Sequence, residues 1–135
     1  MDTDFSLSVE EGYIRVTHAP DYDITPEGLL AQYEAIDKAC KEHGYKKVLV
    51  EGQRMTRHLS SLDVFRSGST FAKLQLIGLR MALCFPDYEP DETTDYFLTV
   101  AKNRGIEFAF FRNKQEALQW LDIVPVEQGT PSDKQ

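Results

Sequence analysis

The sequence predicts an α/β domain built on a mostly parallel, mixed sheet of five strands, in the order β-β-α-β-α-β-α-β-α. Three observations carry this expectation. Two short runs of alternating apolar and polar residues open the chain around a glycine turn. Three short apolar runs follow, near residues 46–51, 80–85 and 106–111. Helix-start signals at Thr25, Ser60 and Asn113 and helix-stop glycines at 44 and 105 then fill the spaces between or after those runs. Strands separated by helices call for parallel crossover connections, and an opening hairpin adds one antiparallel strand at the side.

Phe5, Leu7 and Val9 alternate with Ser6, Ser8 and Glu10, the period of a half-buried strand. Glu10-Glu11-Gly12 turns the chain, and the run 13–19 alternates again, with Ile14 and Val16 on one face and Arg15 and Thr17 on the other. Thr25 can cap a helix, Pro26 suits its first position, and Glu27 complements the positive end of the dipole. Leu29, Leu30, Tyr33, Ile36 and Cys40 repeat at helical spacing up to Gly44. The third strand, 46–51, is continuous apolar chain of the kind buried on both faces.

Residues 52–57 are expected to be a loop. Ser60-Ser61-Leu62-Asp63 matches a capping box, with Leu59 and Val64 placed as a hydrophobic staple, so a second helix follows, weakened near Gly68. The run 80–85 is the next strand, ended by Pro86. An acidic loop, 87–94, leads into a helix with Phe97, Val100 and Ala101 inward. The last strand, 106–111, precedes a short helix capped by Asn113, with Ala117, Leu118, Trp120 and Leu121 packing inward. Residues 1–124 form the predicted domain, and the polar tail 125–135 is expected to be disordered.

With 135 residues the chain has one domain's worth of core, burying roughly two-thirds of its extended surface. A net charge of −7 repels phosphate backbones and anionic lipid, which argues against nucleic-acid or membrane-surface partners. No apolar stretch approaches the length of a bilayer span. Cys40 and Cys84 are far apart and fit buried thiols in a reducing compartment, and Met1-Asp2-Thr3-Asp4 lacks the start of a signal peptide. A cytoplasmic location is the expectation.

The closing half of the chain carries a resemblance. Residues 97–105 (FLTVAKNRG), the apolar strand 106–111, and residues 113–121 (NKQEALQWL) form a helix, an Asn-Arg-Gly stop, a strand and a short helix with Ala-Leu-x-Trp-Leu. Together with the element order, which matches over about residues 5–122, they resemble the STAS-like superfamily. The branch is the SpoIIAA-like one, of small bacterial proteins related to anti-sigma-factor antagonists. The resemblance implies a non-enzymatic regulatory or protein-interaction module, working through a protein partner or as a homodimer. Relatives of that kind are phosphorylated on a Ser or Thr that begins the helix after the central strand, in an Asp-Ser-x-Gly setting. The corresponding place here is Ser60 and Ser61, without the Asp before or the Gly after.

Open parallel sheets bind ligands outside the carboxyl ends of their strands. The loops at that edge bring Asp21, Asp23, Glu51, Asp87, Tyr88, Glu89, Arg112, Asn113 and Lys114, and the group Arg54, Arg57, His58, Ser60 and Ser61. Two guanidinium groups beside a helix start could hold a small anion: a nucleotide, a phosphate or a lipid headgroup. Hydrogen bonds to charge of about 1.5–3 kcal/mol, with a dipole end of about 0.3–1, sum to roughly millimolar to high-micromolar binding. An anionic-ligand binder using this loop is therefore the alternative function. His18, His43 and His58 lack metal-ligand spacing, and the acids 87–95 lack the register of a calcium loop. Cys40, in a helical pattern, and Cys84, in an apolar strand pattern, are read as core residues rather than nucleophiles. No phosphate-binding glycine loop, dinucleotide fingerprint or nucleophile elbow occurs, so no catalytic residue, metal or cofactor is expected.

Overall fold

The computed structural model describes residues 5–20, 23–53, 56–57, 76, 78–89 and 91–123. The expected second helix after Ser60, its staple and the polar tail lie outside the described residues.

The opening alternation forms strands β1 (Phe5–Val9) and β2 (Ile14–His18), paired antiparallel with Leu7 opposite Val16. The apolar runs form β4 (Lys47–Glu51), β6 (Arg80–Cys84) and β7 (Glu107–Phe111). One five-stranded sheet results, ordered β1-β2-β4-β6-β7, and every pair after the hairpin is parallel. This is the predicted mixed sheet.

Two expectations need correction. The stretch 87–94 is not all loop, because the helix there already begins at Glu92, capped by Asp91. The stretch 52–57 is not all loop: Thr56–Arg57 forms β5, which pairs in parallel with β3 (Asp23–Ile24). Two-residue strands carry no periodicity, so only tertiary pairing creates them.

Three helices are described: α1 (Pro26–His43), α2 (Glu92–Asn103) and α3 (Lys114–Trp120). Each starts on a side-chain cap. Thr25 accepts from the Gly28 N–H at 3.1 Å, Asp91 from Thr94 at 2.8 Å and Asn113 from Glu116 at 2.8 Å. Such a cap contributes about 1 kcal/mol by satisfying an otherwise orphaned donor. The helix α1 stops at Gly44, whose φ of 71° is left-handed and whose N–H reaches the Cys40 carbonyl at 2.8 Å.

The pleat divides the core into two. Ile14, Val16, Val48, Val50 and Met81 face Tyr33, Ile36, Ala39 and Cys40 of α1 and Ala101 of α2. On the opposite face, Leu49, Ala82 and Cys84 meet Ala117 and Leu121 at α3. The short helix α3 is tied down by Arg80, whose guanidinium lies 4.2 Å over the Trp120 ring while its Nε sits 2.9 Å from Glu107 Oε1. A cation–π contact at such a partly exposed site contributes roughly 0.5–1 kcal/mol. Helices thus cover both faces, and the strand ends β2, β4, β6 and β7 share one carboxyl edge.

Candidate functional site

At that edge the centre is filled by the protein's own side chains. His18 ends β2 and points to the α1 face, where it is 6% exposed. Its Nε2 lies 2.6 Å from Oε1 of Gln32, which is 4% exposed. The amide oxygen accepts, so Nε2 carries the proton of the neutral ring. Phe85, one residue past β6 and 1% exposed, tilts against the imidazole with centroids 5.5 Å apart. Gly52, one residue past β4, closes over both, and a Cβ there would stand 2.9 Å from Phe85 Cε1 and 3.1 Å from His18 Cβ. Its N–H donates to the Cys84 carbonyl at 3.2 Å.

Burial pushes the His18 imidazole below its ordinary value, against the opposing hydrogen bond from Gln32. The folded protein therefore keeps His18 neutral under conditions in which the unfolded chain takes up a proton. Its contribution to stability is complete above about pH 6.5, the unfolded value, and is lost as pH falls from there toward the lowered folded value. The unfolding midpoint should fall as pH drops below about 6.5, and His18→Gln should remove that part of the slope. An unchanged slope in the variant would assign the pH dependence to other groups.

Among the residues singled out in sequence, Arg57 is placed by its backbone. It sits in β5 opposite Ile24, two residues before α1 begins, so the pairing draws it toward the start of α1. Arg54, His58, Ser60 and Ser61 lie outside the described residues. Glu51 is engaged by Arg15 in an ion pair. Asn113 is occupied as the cap of α3, and Arg112 donates from Nε to the Tyr88 carbonyl at 2.9 Å. Tyr88 in turn stacks on Phe110 with centroids 4.6 Å apart. Cys40 and Cys84 are buried free thiols, and burial pushes Cys40 up to about 11 and Cys84 in the same direction. Neither has the thiolate character of a nucleophile.

Sequence reasoning passed over His18 as no more than a non-metal histidine and did not single out Gln32. A signal was there: both are polar residues at positions whose periodic neighbours, Ile14 and Val16 or Leu29, Tyr33 and Ile36, are apolar. It also missed a cavity of about 230 Å³ at the opposite, amino edge, between the end of α1 and the entry to β6. Cys40, Tyr45, Leu76 and Leu79 line it, with Lys41 and Lys46 beside them. Lys41 is already held by Asp37 at 3.2 Å.

The edge has a topological character as well. From β2 through β4 and β6 to β7 the sheet is built in one direction, each strand beside its predecessor. Ligand crevices of open α/β sheets form where that order reverses. Among the described strands it does not reverse. No group of three His, Cys, Asp or Glu side chains that could hold a metal ion occurs among the described residues, and no described helix is long and apolar enough to cross a membrane.

No family model matches the chain, and no curated protein matches it. Among solved structures it is similar to that of the Bacillus cell fate determinant SpoIIAA in the phosphorylated form, at 16% identity over 87% of this chain and 98% of that one, with a TM-score of 0.47.

Proposed function

We propose that this chain is a non-enzymatic, STAS-like regulatory or protein-interaction module of the cytoplasm, acting through a protein partner or a second copy of itself. The observation that carries it is that, among the described residues, the centre of the carboxyl edge is filled. His18, Gln32, Gly52 and Phe85 occupy the middle of the edge as packed interior, where a substrate crevice would otherwise open. The described loop residues beside it, Pro86, Asp87, Glu89, Arg112 and Asn113, are exposed, and such a surface suits recognition of a protein better than enclosure of a small substrate. In this proposal the interacting unit is residues 1–124, and Ser60 or Ser61 is the position at which phosphorylation would alter the surface.

The test compares the wild-type chain with an Arg54→Ala/Arg57→Ala variant of unchanged unfolding midpoint. The expected result is a defined protein partner that binds the first and is lost from the second. Turnover of a small substrate that disappears in the same variant would overturn the proposal. Phosphopeptide mapping of the protein from its own cells tests Ser60 and Ser61.

A second reading, binding of a small anion by Arg54, Arg57, His58, Ser60 and Ser61, is favoured by the β3–β5 pairing. That pairing draws Arg57 toward the start of α1, where backbone N–H groups attract negative charge. Thermal shift with inorganic phosphate, ATP and anionic-lipid headgroups separates the ligand sources. Equal stabilisation of wild type and the double variant would remove this reading.

A further inference from the structure

We infer that two copies of this chain join edge to edge through β1, extending the five-stranded sheet into a continuous one of twice the width. The inference deepens the homodimer part of the proposed function and rests on it, but it uses none of the carboxyl-edge residues.

The strand β1 lies at the end of the sheet, beyond β2. Its backbone orientation follows from the Glu10 N–H, which bonds the Tyr13 carbonyl at 2.9 Å. Along the same register, Ser8 and Ser6 turn their backbone groups inward to Arg15 and Thr17, so those of Phe5, Leu7 and Val9 point outward along the edge. Proteins guard such edges with charged side chains, proline or bulges. The five residues FSLSV contain none of these, in a chain of which 27% is charged, and all five pair with β2 without a bulge. At the other end of the sheet β7 carries Glu107.

The occupant is a second copy because the strand is complementary to itself. An antiparallel pairing about a twofold axis through Leu7 sets Leu7 on Leu7, Phe5 on Val9, and Ser6 on Ser8. Every apolar side chain then meets an apolar one on the α1 face, and every serine meets a serine on the other. The outward-pointing residues become the hydrogen-bonded pairs, as the ladder requires. The same rotation brings Val9 of the second copy beside Phe5. Val9 is 44% exposed in the single chain, among the most exposed large hydrophobic residues of those described, and the pairing covers it against Phe5.

Sedimentation over a dilution series should show a reversible dimer, and a monomer for Val9→Lys with an unchanged fold by circular dichroism. Cysteine pairing tests the register. Ser6 and Ser8 are exposed, and across the axis they form a non-hydrogen-bonded pair with Cα atoms about 4.5 Å apart, within disulfide range. Under mild oxidation a mixture of Ser6→Cys and Ser8→Cys chains should cross-link, and neither variant should do so alone. A monomeric wild type at every concentration would overturn the inference, and so would cross-linking of either variant alone to the level of the mixture. The Arg54→Ala/Arg57→Ala variant should still dimerise, so that loss of the partner and loss of the dimer are read separately.

Discussion

Phe85→Ala should lower the unfolding free energy by about 3–5 kcal/mol, the range for removing a fully buried aromatic ring. The ring is 1% exposed and belongs to the core on the α1 face. It also stands at the junction of three strand ends. Its N–H donates to the Phe111 carbonyl at 2.9 Å, its carbonyl accepts from Tyr88 at 3.1 Å, and its edge fills the space beside His18 and Gly52. Domains of this size are stable by about 5–15 kcal/mol, so the variant should unfold at a much lower urea concentration. Should it fail to fold, Phe85→Leu keeps most of the volume and should cost less than the alanine change. A loss under about 1 kcal/mol for the alanine variant would show that the ring does not occupy the centre of the edge.

Gly52→Ala should cost about 1–3 kcal/mol, as overpacking of a filled core does. No left-handed φ is involved at Gly52, so the effect is one of space. The new methyl would lie 2.9 Å from Phe85 Cε1, against a ring with no room to move, and 3.1 Å from His18 Cβ. The two substitutions should therefore be non-additive. In a Phe85→Ala background the Gly52→Ala change loses its closest obstacle and should cost less, with a coupling of about 0.5–3 kcal/mol measured by urea unfolding of all four proteins. Additive losses would place the two residues out of contact. Both variants also bear on function: a partner that docks at the carboxyl edge should bind more weakly to either one wherever the fold survives.

Much of the architecture was legible because its causes are local. Alternation of Ile14 and Val16 with Arg15 and Thr17 names the faces of β2, and the run Val48-Leu49-Val50 names a strand buried on both. Thr25 and Asn113 announce helix starts because a side-chain oxygen three residues before an N–H is a matter of sequence spacing. The Asp91 cap was blurred by its acidic neighbours, which made the stretch 87–94 read as undifferentiated loop.

The site was less legible, since its features are contacts between distant segments. Asp23–Ile24 and Thr56–Arg57 hold no pattern alone, and become strands only when the fold lays one beside the other. Gly52 looks like any loop glycine until Phe85 and His18 arrive next to it from residues more than thirty away. Gln32 and His18 each break an apolar stripe, and the hydrogen bond that makes both breaks tolerable needs β2 and α1 docked.

The amino-acid sequence by itself determined the five strands of the main sheet, the three described helices, most of their inward faces and the caps at Thr25 and Asn113, because periodicity and capping act over a few residues. Tertiary structure alone decided that the strands stand in the order β1-β2-β4-β6-β7, that His18, Gln32, Gly52 and Phe85 fill the described centre of the carboxyl edge, and that the uncharged strand FSLSV lies at the end of the sheet. Those outcomes depend on which segments meet, and packing across the whole chain settles that.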